Sequence, residues 1–311
     1  MYTISFINYK DGVGKTTLTA NLGTELTFRG YQVLLIDLAP QANLTCFLIS
    51  PSIWDNDHRE SKTIKTWFEA LTNTTLDLKS ADLIIQPSKV NKRIKDWGSI
   101  GSVSLVFSHL GLIGLDTELA VLVIGANPKQ NALNFLQTHN HLRSGLESIS
   151  DDYDFIFFDC PANCDIATQS DIKASDFYII PAIPDSLSLL SIDRLGIQVI
   201  EDYNHYTEFL GEQLLINPKG LDVVFTMLSL YGRSPIADQK AYIAKVRERN
   251  IPHFNSFIRE NRTVYGVGPE IGITASLQAN NKKNNQLVKA ELENFADGFL
   301  GLINQQIRKT N

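Results

Sequence analysis

The sequence lacks any apolar run longer than a β-strand, and no charged and then apolar leader opens it. A helix that crosses a membrane needs about 20 consecutive apolar residues, and a secretory signal needs an apolar core behind positive charge. These absences argue against a spanning helix and a signal peptide. We therefore expect a globular protein of the cytoplasm, since 311 residues are enough to bury a sizeable core.

Cysteine and positive charge are also scarce. The 3 cysteines, Cys46, Cys160 and Cys164, lack the paired spacing of a metal site, so we expect buried free thiols in a reducing compartment. The formal net charge of −6 excludes a protein that coats nucleic acid with its whole surface. Any contact with a polyanion must therefore be confined to a local basic patch.

The sequence does contain an alternation of strand-like and helical patterns. Near-continuous apolar runs, typical of parallel strands buried on both faces, predict strands at YTISFINY, YQVLLIDL, LAVLVIGA, YDFIFFDC, SDFYIIPA and LDVVFTML. Helical patterns follow most of these runs, at Thr16–Arg29, from the third run through Leu146, after Cys160, at Leu187–Phe209 and at Ile236–Arg249. This order predicts an α/β fold with a doubly wound, mostly parallel sheet and helices on both faces.

No internal repeat or low-complexity tract is present, and we predict a single domain over residues 1–311. Residues 50–102 are more polar and irregular, so we interpret them as an excursion from that domain. A last helical pattern at about 286–309 predicts a helix that packs on the core, because one of its faces is apolar: Val288, Leu292, Phe295, Phe299 and Leu302 or Ile303.

The loop after the first strand carries the parts of a phosphate-binding site. In FINYKDGVGKTTLTANLG, Gly12 and Gly14 let backbone N–H groups approach phosphates, Lys15 suits the β/γ oxygens and Thr16 suits Mg²⁺. The first glycine of the general G-x-x-x-x-G-K-[ST] pattern is missing, but a strand precedes the loop and a helix follows. The alternative is a glycine-rich turn that only joins the two. Lys10 lies in the same loop. Two cations so near each other indicate that a polyanion binds between them.

Lys10 narrows the match, because K-x-G-V-G-K-T-T resembles the deviant Walker A motif of the ParA/MinD family of ATPases. VLLIDLAPQANLT resembles the family's second strand motif, and YDFIFFDCPAN resembles its Walker B strand. SHLGLIGLDTELA, FYIIPAIPDSLSLLSIDRL, VVFTML and FIRENRTV are similar, in order, to segments of Soj-like ParA partition ATPases. The resemblance covers essentially the whole chain and implies a P-loop NTPase fold with ATP and Mg²⁺ as cofactors.

The resemblance also implies site residues. Lys15 would bind the β/γ phosphates, and Lys10 would reach the partner subunit's phosphates, so that ATP holds a homodimer together. Thr16, Asp37 and Asp159 would lie near Mg²⁺, although a structural cap is the alternative for both aspartates. The predicted nucleotide-binding set is Lys10, Asp11, Gly12, Val13, Gly14, Lys15, Thr16 and Thr17, with Met227 and Pro269 as candidates for the adenine pocket.

Two positions depart from the family pattern. The family's second aspartate, which helps to position or activate the attacking water, is Ala39 here, and a methyl group can do neither. We therefore expect ATP binding with slow hydrolysis, and one sequence leaves open whether the alanine is natural or introduced. The catalytic candidates are Lys10, Lys15, Asp37 and the Ala39 position. Asp11 replaces a glycine and would repel phosphates unless it points away or pairs with Lys10 or another cation.

ParA-type dimers bind DNA without sequence preference through basic side chains, which implies a DNA-binding partner for this chain. A solvated helix face explains part of the basic cluster equally well. The resemblance further implies a ParB-like or other adaptor that stimulates hydrolysis, and a location on the nucleoid. The candidate DNA-binding residues are Arg233, Lys240, Lys245, Arg247, Arg249, Arg259 and Arg262.

Two alternatives stay open. A MinD-like ATPase of the membrane surface would need a terminal amphipathic helix with a basic face, whereas the pattern at 286–309 has acidic residues there, so we do not expect a membrane partner. A metabolic or electron-transfer relative would need clustered cysteines, for which Cys160 and Cys164 give little support.

Overall fold

The computed structural model describes residues 1–50, 62–72, 78–163, 166–185, 197–211, 219–228, 230–231, 234–278 and 283–310. The strands in this part of the chain are β1 (Tyr2–Phe6), β2 (Gln32–Asp37), β3 (Ser102–Val106), β4 (Phe155–Asp159), β5 (Phe177–Ala182), β6 (Lys219–Leu228), β7 (Leu230–Tyr231), β8 (Ser234–Pro235) and β9 (His253–Arg259).

The helices in the same ranges are α1 (Lys15–Phe28), α2 (Asn43–Leu48), α3 (Ile64–Thr72), α4 (Ser88–Asp96), α5 (Leu112–Val123), α6 (Pro128–Glu147), α7 (Ile166–Ala174), α8 (Ile197–Phe209), α9 (Ala237–Glu248), α10 (Arg262–Tyr265), α11 (Val267–Ile271) and α12 (Lys283–Thr310). Short 3₁₀ turns occur at Ser80–Leu83, Ser150–Asp152 and Ala275–Leu277.

Seven strands form one sheet in the order β3-β2-β4-β1-β5-β6-β9, and every neighbouring pair is parallel. The predicted α/β fold with a parallel sheet is therefore confirmed. β1 lies in the middle, and the register places Phe6 and Asp37 opposite Asp159 from either side. The carboxyl ends of β1, β2 and β4 thus meet at one edge, where ligands of open α/β sheets bind.

Apolar clusters cover both faces of the sheet. On one face, α12 packs across α1 and the central strands, and the Phe299 ring lies 5.5 and 5.7 Å from the rings of Phe155 and Phe157. The other face is covered by α5, α6, α7 and α9. None of the described helices is both long enough and apolar enough to cross a bilayer. The residues of α12 that the sheet buries are Val288, Leu292, Phe295, Ala296, Phe299 and Ile303.

Five of the six predicted strands are present, and the prediction of a strand at LAVLVIGA is wrong. Those residues form the end of α5 and the turn after it. Leu115 and Leu119 are buried, whereas Val121 and Ile124 are 63% and 71% exposed. The run is therefore apolar on two sides of a helix, and a continuous apolar run does not by itself distinguish that arrangement from a buried strand.

Two strands of the seven-stranded sheet are absent from the prediction, β3 and β9, and they are its two edges. The short strands β7 and β8, which pair with each other in a separate sheet, are also absent from it. β3 reads SVSLV and β9 reads HFNSFIR, so polar residues interrupt both. The central strands β2 and β4 are buried on both faces and read as continuous apolar runs. An apolar-run criterion therefore finds the middle of the sheet and misses its edges.

The predicted excursion at 50–102 contains α3 and α4, which pack at the β3 edge. Thr63 forms a bridge with Phe107, and Ile85 forms one with Leu105. Residues 51–61 and 73–77 lie outside the described ranges. The predicted helix at Leu187–Phe209 is described only from Ile197 onwards, as α8, and the one at Ile236–Arg249 is α9.

Candidate nucleotide-binding site

The loop between β1 and α1 has the backbone of an anion-binding site. Gly12 and Gly14 have φ angles of 71° and 87°, a left-handed conformation that residues with a Cβ rarely adopt. α1 begins at Lys15 with no side-chain cap and no acidic residue in its first turn. Its first N–H groups and the positive end of its dipole are thus left for an anionic ligand.

The loop borders a cleft of about 630 Å³ at the carboxyl edge of the sheet. Eight of the ten predicted nucleotide-binding residues line it, namely residues 11–17 and Pro269. Lys10 is not among the lining residues, and the side chain of Met227 lies outside the described part of the chain. The opposite wall contains Ala39, Pro40, Gln41, Asn43, Phe47 and residues 160–162.

Lys15 is folded into the loop. Its Nζ donates to the carbonyl oxygens of Asn8 and Lys10, at 2.9 and 3.1 Å. Burial lowers the pKa of Lys15, and its electrostatic interaction with Asp159 offsets part of that change. A buried ammonium held mainly by carbonyl dipoles gains stabilisation from an added anion, so this side chain suits a phosphate in the cleft.

Lys10 interacts with a residue outside the loop. Its ammonium forms an ion pair with Asp185, three residues beyond the end of β5 at Ala182. Its backbone N–H donates to Oδ1 of Asn8 at 2.9 Å, and Nδ2 of Asn8 donates to the carbonyl of Pro181 at 2.8 Å. Lys10 therefore pairs with Asp185 rather than with Asp11, which is exposed at the cleft.

Asp159 is a buried carboxylate whose two oxygens accept no hydrogen bond from the described residues. Burial raises its pKa to about 8, and the neighbouring Asp37 adds to the rise. The hydroxyl of Thr16 and the ammonium of Lys15 lie close enough to oppose the shift, without reaching full hydrogen-bond geometry with the carboxylate. An orphaned buried carboxylate beside a threonine hydroxyl is an oxygen donor set that fits Mg²⁺.

Asp37 is satisfied by the chain itself. Its Oδ2 accepts the backbone N–H and the hydroxyl of Thr45, both at 2.8 Å, and its Oδ1 accepts the N–H of Ala39 at 3.1 Å. Burial nevertheless raises its pKa to about 6. The geometry is that of a cap that fixes the loop 38–44 onto α2, and a role of Asp37 towards Mg²⁺ or catalysis stays a prediction.

Ala39 occupies a firmly held position on the cleft wall. Its N–H is bound by Asp37, and its carbonyl accepts the hydroxyl of Ser108 at 2.5 Å and the N–H of Ala42 at 2.9 Å. The backbone that would present a longer side chain to the cleft is therefore in place, and the methyl group offers no polar atom.

A second, mainly apolar cavity of about 370 Å³ shares Gly14, Thr17, Phe47 and Pro269 with the first. Its remaining walls come from Leu18, from Thr226 on β6 and from residues 258–262, 265 and 266. A cavity that is apolar and adjoins a phosphate loop has the chemistry of a nucleoside pocket. Pro269, one of the two candidates for the adenine pocket, lines both cavities.

The predicted DNA-binding residues differ in their exposure and in their partners. Lys240, Lys245, Arg247 and Arg249 are exposed on α9 or at its end. Arg259 is mostly buried and is held by Glu291 at 2.5 and 2.8 Å. The fully solvated side chain of Arg262 pairs with Glu260 at 3.2 Å, and Arg233 lies outside the described residues.

Four residues that hold the loop or the neighbouring cleft wall are missing from the sequence prediction: Asn8, Thr45, Asp185 and Thr226. The hydroxyl of Thr226 donates to the carbonyl of Val13 at 2.5 Å. Asn8 directly precedes the two lysines, and Asp185 lies in a segment that resembles the family, so both had a local signal. Nothing in the sequence indicates the contacts of Thr45 and Thr226, because they depend on the packing of α2 and β6.

The cysteines that the structure describes are free thiols, as predicted. Cys160 is buried and donates to Oδ2 of Asp171, and Cys46 is half-buried. Burial raises the pKa of both thiols. Cys164 lies outside the described residues. Across the described ranges, no three His, Cys, Asp or Glu side chains come together as a metal site.

Known proteins resemble the chain in sequence and in fold. A family model described as an AAA domain matches residues 1–209. The virulence plasmid ParA family protein of Chlamydia psittaci is 30% identical over 196 residues, 63% of this chain. The sporulation initiation inhibitor protein Soj of Bacillus subtilis is 25% identical over 192 residues, 62% of this chain. The matched region spans 62% of the length of each of these relatives.

Among solved structures, the ATP complex of an aspartate-to-alanine variant of Cyanothece McdA has a TM-score of 0.69 and 22% sequence identity. The match covers 98% of this chain and 96% of that one, so the two share a fold. The loop with two lysines, the parallel sheet and the family match agree with one another. This chain belongs to the ParA/MinD-type family of P-loop ATPases.

Proposed function

We propose that this chain binds ATP with Mg²⁺ in the cleft and forms an ATP-dependent homodimer that binds DNA without sequence preference. The observation that carries the proposal is the loop itself, in which Lys10 and Lys15 flank left-handed glycines at an uncapped helix start. Two cations within one loop suit an anion of high charge, and the shared fold makes a nucleoside triphosphate the ligand that fits.

Each residue has a binding role in this proposal. Lys15 and the N–H groups of residues 12–17 hold the phosphates, and the apolar second cavity holds the nucleoside. Thr16 and Asp159 hold Mg²⁺, which would neutralise phosphate charge when bound. Asp37 acts mainly through its hydrogen bonds to Thr45 and Ala39, which fix the wall that faces the phosphates.

Hydrolysis is slow in this proposal, because the wall opposite the loop lacks a carboxylate at Ala39. Positioning and charge stabilisation remain, but no side chain at this position orients the attacking water. The McdA variant with alanine in place of one aspartate was solved as a complex with ATP. That protein shows that the shared fold can hold ATP after loss of a carboxylate.

The biological role in this proposal is partition. The Chlamydia psittaci relative is named as a plasmid ParA family protein, which supports a plasmid, a chromosomal locus or a protein cargo as the object that is positioned. An adaptor of the ParB kind would stimulate hydrolysis, and the ATP dimer would reside on the nucleoid. The exposed basic side chains of α9 support a DNA contact.

The MinD-like alternative needs an amphipathic helix free to enter a membrane surface. The apolar face of α12 is buried against the sheet, and Arg29 of α1 ties down its polar face through Asp297. A direct test is sedimentation of the full chain with anionic vesicles and ATP, and we expect no ATP-dependent binding.

The proposal is tested by light scattering of the protein with ATP and with ADP. We expect a dimer with ATP only, loss of nucleotide binding in Lys15→Ala, and weaker dimerisation with intact nucleotide binding in Lys10→Ala. Lys92→Ala on the exposed face of α4 is the matched control and should behave as the wild type. A dimer that forms equally without nucleotide would contradict the sandwich arrangement.

A further inference from the structure

The geometry points to Asp185 as a positioning residue that holds Lys10 within its own subunit and sets the threshold for ATP-dependent dimerisation. This inference rests on the proposed function, in which Lys10 acts on the partner subunit's nucleotide. It assigns a role to Asp185, a residue outside the loop that lines neither the cleft nor the second cavity.

The contact is specific and part of a small network. The ammonium of Lys10 and the carboxylate of Asp185 form an ion pair while 26% and 34% exposed. Asn8 reinforces it, because its Oδ1 binds the N–H of Lys10 and its Nδ2 binds the carbonyl of Pro181 at the end of β5. The loop and the β5 end are thus joined twice, once through Asn8 and once through the ion pair.

In this network each of the two loop cations is compensated by groups of the chain itself. Lys15 is held by carbonyl oxygens, and Lys10 is neutralised by Asp185. Lys10 cannot pair with Asp185 and reach another subunit's phosphates at the same time. In a symmetric dimer this exchange occurs twice, so the strength of the ion pair enters the dimerisation equilibrium twice.

Removing the carboxylate should therefore strengthen the dimer. Half-exposed ion pairs are weak, and two of them shift a dimerisation constant by about two- to tenfold. We expect Asp185→Asn to lower the dimer dissociation constant with ATP by that factor, while nucleotide affinity of the monomer is unchanged. A residue with only a structural role would give the opposite sign, because its loss would weaken the dimer.

A matched control removes the same charge elsewhere. Asp297→Asn breaks the exposed ion pair between Arg29 and α12, far from the loop, and should leave dimerisation unchanged. Asp185→Glu keeps a carboxylate at the position and should stay close to the wild type. Circular dichroism of each variant confirms that it is folded before its dimerisation is compared.

The double variant Lys10→Ala with Asp185→Asn separates positioning from simple electrostatics. If Asp185 acts through Lys10, Asp185→Asn brings no gain in the Lys10→Ala background, whereas a general removal of negative charge near phosphates strengthens the dimer in both backgrounds. The decisive experiment is this four-protein cycle, measured by analytical ultracentrifugation with Mg-ATP.

Each result has one meaning. A gain in Asp185→Asn that disappears without Lys10 supports the inference. A gain that persists without Lys10, or a dimer no stronger than that of Asp297→Asn, overturns it while leaving the proposed function intact if Lys10→Ala weakens the dimer. A Lys10→Ala variant that dimerises normally overturns the inference together with the trans role of Lys10.

Discussion

At the residue scale, the backbone of Ala39 is held by hydrogen bonds, but its side chain is a methyl group that can neither accept a proton nor orient water. Asp37 and Ser108 fix the N–H and the carbonyl of Ala39, so a longer side chain there would project from a wall that is already ordered. This position lacks one carboxylate that could act as a general base, and general acid–base groups typically contribute about 10²–10⁴-fold to a rate.

Ala39→Asp should accordingly raise single-turnover hydrolysis of prebound ATP by about tenfold or more and shorten the lifetime of the ATP dimer. The measurement is a rapid-quench assay of product formation in both proteins. Ala162→Asp is the matched control, because it adds a carboxylate to the same cleft at another position and should not accelerate hydrolysis. Equal rates for Ala39→Asp and the wild type would show that the activating group lies elsewhere, at Asp37 or on the partner subunit.

The buried carboxyl of Asp159 predicts an unusual pH dependence of stability. Its pKa is raised from 3.8 to about 8, so between these values the native state holds a proton that the unfolded chain has released. Stability therefore falls as pH rises through this window. We expect the melting temperature in chelator to drop from about pH 5 to about pH 8, and Mg²⁺ to restore it most at the alkaline end.

Asp159→Asn provides the control, since an amide has no proton to release. Its melting temperature should be flatter over the same range and should respond less to Mg²⁺. A wild-type protein whose stability rises towards pH 8 in chelator would contradict the assignment of a protonated Asp159.

At the scale of elements, α5 is apolar on two sides, but only one side is packed. Leu119 is fully buried, and Val121 on the other side is 63% exposed. We expect Leu119→Ala to lower the free energy of unfolding by about 2–5 kcal/mol, because it leaves a cavity. Val121→Ala should change it by less than about 0.5 kcal/mol, since alanine favours the helix and little packing is lost.

Chemical denaturation measures the free energy of unfolding of both variants. The comparison is matched, because each variant replaces an apolar residue of the same helix by alanine. Similar losses of stability would mean that the exposed side of α5 is covered by another molecule in solution.

The same helix shows what the sequence could and could not predict. The phosphate loop follows from local rules, because Gly12, Gly14 and Lys15 act within a few residues of one another. The central strands follow from burial on both faces. The rest depends on which elements pack nearby: the helical state of α5, the edge strands and the contacts of Asp37 and Asp185. The two residues of the Lys10 ion pair, for example, lie in loops that follow different strands, β1 and β5. No local pattern encodes such pairs.

At the scale of the whole molecule, the net charge of −6 opposes contact with DNA except where cations gather. α9 is such a place, because Lys240, Lys245 and Arg247 are exposed on it. We expect the ATP dimer to bind duplex DNA with a log–log salt slope of about 0.9 for each phosphate neutralised. The paired reversal Lys240→Glu with Arg247→Glu should reduce both the affinity and the slope.

The matched control is the reversal of Lys92 and Lys95 to glutamate, which changes charge equally on the exposed side of α4. Fluorescence anisotropy of labelled DNA over a salt series distinguishes the two helices. A larger loss in the α4 variant would move the DNA contact to that helix.

The strand order also has a consequence for folding during synthesis on the ribosome. β1 precedes the other described strands along the chain, yet it lies between β4 and β5, and Ile4 is paired with residues as distant as Phe177. The amino-terminal strand therefore waits, without either neighbour, until the middle of the chain has emerged. Such distant pairings fold slowly and expose apolar segments meanwhile. Nascent chains that end before β4 would carry the complete phosphate loop on a strand that has neither of its neighbours.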